Sequence, residues 1–360
     1  MVPMRSSDPA PVMTDVARLA GVSHQTVSRV VNGSPHVSEP TRAKVMAAME
    51  QLGYRRNGVA RALAMRRSGT LGVITFDTVR YGPVSTLYSI EQAAGSVGLG
   101  VSIAVAEQAT SDEVVRALAR LQDQSVEGIV AIAPRHDAVE ALSTELRGLP
   151  AVLVGGVHGG GSGPIAAGDE QARPGQPAVG IDQRGGAAAA TRHLLDLGHR
   201  TVHHLAGPRG WLDAEWRTEG WRATLEEAGR RVPEPVAGDW SAGSGYAAMR
   251  ELLAVDPDLS AVFAANDPMA LGALRALDEA GRRVPEDVSM VGFDDVPEAE
   301  FFRPPLTTVR QHFTEAGRRA VGMLLDMIRP GDGPAIRPGP PAVVPTELVV
   351  RRSTGPSPHR

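Results

Sequence analysis

The sequence has no cysteine, a single lysine (Lys44), and aromatic residues at only 4% of its 360 positions. Without cysteine there is no disulfide scaffold, no cysteine-ligated zinc or iron–sulfur centre, and no thiol nucleophile. No apolar run reaches the roughly 18 residues of a membrane span, so no transmembrane helix and no membrane partner are expected. Met1 to Met13 lacks the basic and apolar regions of a secretory signal, which predicts a cytoplasmic protein. G-x-x-x-x-G-K-[ST], H-E-x-x-H and G-x-S-x-G are absent. The ten histidines show no ligand spacing, and His203-His204 falls in a strand pattern that points neighbours to opposite faces. Metal, cofactor and catalysis are therefore not expected.

What is present is 42% hydrophobic residues over a length that suits two or three folded units. The net charge of −4 is unevenly spread. Residues 14–68 hold nine basic and three acidic side chains, a net +6, which leaves −10 for residue 69 onward. A basic head on an acidic body suits a head that meets a polyanion, although a solvated basic face gives the same count.

The head carries helix punctuation. Residues 1–13 read as a loose tail. Thr14 can cap Asp15–Ala20, Gly21 turns the chain, and Ser23 can cap His24–Val31, which Asn32-Gly33 ends. Ser38 can cap a third helix with the apolar stripe Val45, Met49 and Leu52, stopped at Gly53. Val27, Val30 and Val31 share one face of the second helix and leave His24, Gln25, Ser28 and Arg29 outward. Two short helices about a glycine turn describe a helix-turn-helix, whose second helix enters the major groove.

From Thr70 the pattern changes. Apolar runs at 71–76, 101–106, 128–133, 151–154, 179–181, 202–206, 261–265 and 288–293 alternate with helical stretches such as 184–197. Apolar strands separated by helices indicate parallel βαβ units, and their number indicates two doubly wound lobes. Gly159–Pro177 is rich in Gly and Pro and reads as a loop. Ser353–Arg360 reads as a polar tail.

Thr14-Asp15-Val16-Ala17, Gly21-Val22-Ser23-His24-Gln25-Thr26-Val27-Ser28-Arg29, Leu52-Gly53-Tyr54 and Ala60-Arg61-Ala62-Leu63-Ala64 occur in order. Leu205-Ala206-Gly207-Pro208, Asn266-Asp267-Pro268-Met269-Ala270, Gly292-Phe293-Asp294-Asp295 and Pro305-Leu306-Thr307-Thr308-Val309 follow. This ordered set resembles the LacI/GalR family of regulators over nearly the whole chain. The resemblance implies a small all-α helix-turn-helix head plus an α/β two-lobed body of the periplasmic-binding-protein type. The divisions it implies are a head at 14–56, a hinge helix and linker at 57–69, an effector-binding and dimerisation body at 70–352, and the tail at 353–360. It also implies a repressor that binds a pseudo-palindromic operator as a homodimer, with affinity set by a small molecule, a sugar or glycoside. The tail lacks the leucine heptads that join dimers into tetramers in the family.

By that resemblance His24, Gln25 and Arg29 face base edges, where Gln suits adenine and Arg suits guanine. His24 departs from the tyrosine of the pattern it otherwise follows. Ser23, Thr26, Asn32, Ser38 and Thr41 fall to phosphate contact or helix capping, and the outward Ser28 belongs to the same DNA-binding set. Tyr54, Asn57 and Ala60 belong to the matching segment around the hinge, and Leu63 matches a wedge that enters the minor groove, or is a core leucine. Arg217, Trp240, Asn266, Asp294 and Gln311 match effector contacts, with Phe76 and Tyr81 as candidate walls. A carboxylate, an amide and a guanidinium can satisfy hydroxyls while an indole stacks on a sugar's CH face. Simpler roles stay open: Asp294 and Asn266 as helix caps, Trp240 as core. Phe76, Ile132 and Gly155-Gly156 stand where the family has polar lobe-one contacts, so a differently shaped ligand is expected on that side. A transport component and a sugar-acting enzyme are the competing readings.

Overall fold

The structure, a computed structural model, describes residues 11–31, 34, 36–54, 67–76, 78–155, 177–328 and 342–358. The predicted hinge helix with Asn57, Ala60 and Leu63, the Asn32-Gly33 stop, and most of the 159–177 loop lie outside the described residues. Two compact units divide at Ser68 and Gly69.

The head is three helices, α1 (Met13–Ala20), α2 (His24–Val31) and α3 (Glu39–Gln51). α1 starts before the expected Thr14 cap. The Asp15 carboxylate reaches back to accept the Val12 N–H at 3.0 Å, so the first turn is closed from inside the helix. Gly21 takes φ +66°, which lets the Val22 N–H reach Ala17 O. Ser23 does cap α2, its Oγ accepting the Thr26 N–H at 3.2 Å. Ser38 sits at the cap position of α3, but its hydroxyl is paired with that of Thr41 at 2.9 Å and makes no cap bond. Val16, Val27 and Val45, one from each helix, are fully buried together. Ala17, Val30 and Ala48 complete this core, each buried methylene of which contributes about 0.8 kcal/mol.

In the body the expected strands recur within one residue at each end, because fully apolar runs of four to six residues are stable only between covered faces. Lobe one contains β1 (Thr70–Thr75), α4 (Tyr81–Ser96), β2 (Gly100–Val105), α5 (Ser111–Asp123), β3 (Ile129–Ile132), α6 (His136–Glu145), β4 (Ala151–Val154) and β5 (Ala178–Ile181). Lobe two contains α7 (Gln183–Asp196), β6 (His203–Ala206), α8 (Leu212–Glu227), β7 (Val236–Ala237), α9 (Ala242–Val255), β8 (Ala261–Ala264), α10 (Asp267–Glu279), β9 (Ser289–Asp294), a 3-10 turn (Pro297–Phe301) and β10 (Thr307–Arg310). The chain then returns to lobe one with α11 (Phe313–Ile328) and β11 (Ala342–Val344), and ends in lobe two with β12 (Glu347–Val349).

Among the described residues this gives two six-stranded sheets, ordered β2-β1-β3-β4-β5-β11 and β7-β6-β8-β9-β10-β12. Pairing is parallel throughout except β10 with β12. In such sheets the ligand crevice lies beyond the carboxyl ends of the strands, where the order reverses. The strand ends at Thr75, Ala206, Ala264 and Asp294 therefore mark where a site is expected.

The expected polar tail is not free. Ser353 is fully buried, its Oγ accepting the Thr307 N–H at 2.7 Å and donating to Met290 O at 2.6 Å. Further along, Gly355 O meets His199, and the Ser357 N–H donates to Leu197 O. A Ser-, Thr- and Gly-rich composition signals irregular backbone, but it supplies hydroxyls that can satisfy buried donors as well. Replacing Ser353 with alanine leaves the Thr307 N–H unpaired and is expected to cost the body about 1–3 kcal/mol, read as a lower melting midpoint. An unchanged melt would mean a free tail.

Candidate functional site

On the head, His24, Gln25, Arg29 and Ser23 are exposed, while Val27 and Val30 face inward. Thr26, Ser28 and Thr41 are half-buried and Ser38 is exposed. Tyr54 packs against the three-helix core, its backbone N–H held by Met49 O. α2 thus presents one polar face of donors and acceptors on a rigid apolar base.

In the body a cavity of about 500 Å³ opens between the lobes. Lobe one supplies Val79, Arg80, Tyr81 and Val84 from the end of β1 and the start of α4. Lobe two supplies a polar floor of Asp213, Arg217, Asn266 and Asp294 beside the indoles of Trp211 and Trp240. The two indoles meet edge to face, with centroids 5.8 Å apart.

Arg217 organises the floor. Its guanidinium is 3% exposed and lies 3.8 Å from the Phe293 ring centroid and 5.4 Å from that of Trp240. Nε donates to Gln183 Oε1 at 2.9 Å, and Nη2 stands 3.4 Å from Asp294 and 3.9 Å from Asp213. Asp294, at the end of β9, accepts Gln311 Nε2 at 2.7 Å. Burial pushes its carboxyl up to about 6, against the downward pull of Arg217 and Gln311. Burial, reinforced by Asp294, also holds the Asp267 carboxyl well above the usual carboxylate range. Burial and then Asp294 raise the Tyr81 phenol.

The loop after β9 is strained and tightly held. Asp294 and Asp295 take φ of +109° and +53°, and Trp240 takes +73°. Asp295 is fixed by Arg310 at 2.6 Å and Arg351 at 2.7 Å, and the Val296 N–H by Asp267 at 2.9 Å. Left-handed backbone at non-glycine residues costs of order 1–3 kcal/mol and persists only where surroundings over-determine it. Gly207 is required beneath Trp240, because a Cβ there would stand 2.3 Å from the indole.

Five of the expected effector residues, Tyr81, Arg217, Trp240, Asn266 and Asp294, come together in this cavity. Asn266 is a helix cap that also lines the cavity. It caps α10 by accepting the Met269 N–H at 2.9 Å, and it donates to Trp240 O at 3.1 Å. Two expected residues are not among those lining this cavity. Phe76 packs on the lobe-one core. Gln311 holds the Asp294 carboxylate and lines an adjoining cavity that shares Tyr81 and Val84 with this one. Asp213 and Trp211 were missed, although i−4 and i−6 from Arg217 put them within two turns of α8. Gln183 gave no signal in the sequence.

If the ionised Asp294 is what a ligand hydroxyl meets, affinity is highest above pH 6 and falls as pH drops through about 6. The same raised pKa makes this group's stability contribution run the other way, greatest at low pH and lost as pH rises through that value. Calorimetric titration at pH 5 and 7.5 checks the sign, and Asp294→Asn is expected to flatten the profile while weakening binding roughly 10–100-fold.

Residues 12–57 match the model described as bacterial regulatory proteins, lacI family, and residues 191–354 match a periplasmic binding protein-like domain. The regulator CelR of Thermobifida fusca is 37% identical over 95% of this chain and 98% of its own. The lac repressor dimer bound to operator and the anti-inducer ONPF superposes with a TM-score of 0.80 at 34% identity, covering 96% of this chain and all of that one. A CelR–cellobiose complex superposes with a TM-score of 0.68 at 36% identity, covering 95% and 99%. With the helix-turn-helix, the paired doubly wound lobes and the cleft between them in place, this chain belongs to the LacI family of bacterial regulatory proteins.

Proposed function

We propose that the chain is a homodimeric transcriptional repressor of the cytoplasm whose affinity for a pseudo-palindromic operator is set by a neutral sugar or glycoside. The observation that carries this is the floor of the cavity. Arg217, Asn266 and Asp294 offer donors and acceptors at fixed positions beside two indoles, which is what a polyol with an apolar face needs. The volume, about 500 Å³, sits in the range of about 300–1,000 Å³ of small-molecule sites and leaves room for a disaccharide or an aryl glycoside. On the floor Asp213 and Asp294 face Arg217, so an anionic group placed there would meet carboxylates, and Arg80 is the cation on the lobe-one side. CelR with cellobiose is a relative that supports the two-ring reading.

On the head, His24, Gln25 and Arg29 are assigned to base edges, and Ser23, Thr26, Ser28, Asn32, Ser38 and Thr41 to phosphates. Asn57, Ala60 and Leu63, with Tyr54 before them, are assigned to a hinge that contacts the DNA. Effector binding alters the relation of the lobes and weakens operator affinity, which requires that the sugar bind the two states unequally. The role is binding without turnover, and recovery of the sugar unchanged after incubation checks it.

A thermal-shift screen of neutral disaccharides and β-glycosides against sugar phosphates and uronates tests the effector class. Stabilisation by the charged sugars alone would overturn it. Gln25→Ala is expected to relax discrimination at one base step by about 1–3 kcal/mol, read from binding to a library of operator variants. Equal weakening on every sequence would instead place Gln25 on a phosphate.

A further inference from the structure

Gln183 sits where the effector cavity and the passages between the lobes meet. Among the described residues the chain passes from one lobe to the other at 181–183, 310–313 and 344–347. Gln183 opens α7 directly after the first passage and is 2% exposed. Its Oε1 accepts Arg217 Nε at 2.9 Å, and its Nε2 donates to Gln311 Oε1 at 2.7 Å. Gln311, in the second passage, donates in turn to Asp294 Oδ1 at 2.7 Å, and Asp294 faces Arg217 at 3.4 Å. The neighbour of Gln183 secures the third passage: the Asp182 N–H donates to Val344 O at 2.8 Å, and Thr346 Oγ1 reaches Asp182 O at 3.4 Å.

The direction of this ring is fixed by chemistry. A guanidinium only donates and an ionised carboxylate only accepts, so both amides must point the same way round. Turning either one would set donor against donor in a buried site, where an unmade bond is costly. A change at Arg217 or Asp294 therefore cannot be absorbed locally by a rotating amide.

We propose that Gln183 is the positioning residue of a head-to-tail relay, Arg217 to Gln183 to Gln311 to Asp294, that makes the lobe passages respond to events at the cavity. The proposal rests on reading the cavity as the effector site, but the relay itself can be tested with no sugar present. Gln183→Glu keeps the side-chain length and the acceptor for Arg217 while offering no donor to Gln311. The added carboxylate is itself buried, so the test is non-additivity with Asp294→Asn and not the variant's stability alone. Gln183→Met removes both bonds and serves as the second variant.

The experiment is hydrogen exchange on the full chain, with the Asp182 amide as reporter and Asp294→Asn as the perturbation at the cavity. In the wild-type background D294N is expected to raise exchange at Asp182 roughly fivefold or more. In Q183E or Q183M, where exchange at Asp182 is already raised, D294N is expected to add less than about twofold, a non-additive cycle. Exchange at Asp182 untouched by D294N, or multiplied equally in all three backgrounds, would overturn the relay. A sugar screen that returns no ligand would remove the effector reading and leave this result standing, so the two failures are distinguishable.

Discussion

The body depends on one buried charge, the guanidinium of Arg217. Taking it out of water costs several kcal/mol, and pairing with Asp294 alone would not cover that loss. The structure surrounds it with a carboxylate on one side, an amide on another, the carbonyl of Ala265 and the face of Phe293. These partners come from α7, the end of β8 and β9, so satisfying one side chain of α8 fixes the relative positions of all four elements. Arg217 and Gln311 in turn favour the charged form of Asp294 against the effect of burial. The result is a polar floor that is rigid before any ligand arrives, which lowers the ordering cost of binding.

α8 extends this constraint to the other lobe. Successive residues at its start face different neighbours: Asp213 and Arg217 line the cavity, while Leu212 and Trp216 are buried in the core of lobe one. The Leu212 N–H donates to Pro134 O, Arg135 and Trp211 form an isolated bridge, and His136 meets Glu215 at 2.6 Å. The lobes are therefore joined at the cavity rim as well as through the passages at the back. A small shift of the floor has structural routes on both sides, which is what a ligand-controlled change in lobe arrangement requires.

The head works by different physics. Its small core of buried valines and alanines packs the three helices together, and its function is assigned to residues outside that core. The +6 of residues 14–68 supplies attraction to phosphate that is sensitive to salt and indifferent to sequence. The −10 of the remainder opposes DNA binding elsewhere on the chain. The polar side chains exposed on α2 are those to which sequence discrimination is assigned.

The sequence by itself determined the parts whose causes are local. Apolar runs bounded by Gly and polar residues specified the strands, and Gly21, Ser23 and Gly53 specified the helix punctuation of the head, because both signals act within a few residues. The helix-turn-helix face and five of the cavity residues were legible for the same reason, as strand ends and helix faces with the right chemistry. Only the tertiary structure decided what depends on distant segments meeting. Gln183 and Gln311 lie 128 residues apart and become partners only when two passages run side by side. Phe76 was a plausible wall until the loop after β1 was seen to carry Val79 to Tyr81 past it. Ser353 became a buried donor and acceptor only against Thr307 and Met290. Asp294 acquires its raised pKa from desolvation, a property of everything packed around it that no window along the chain contains.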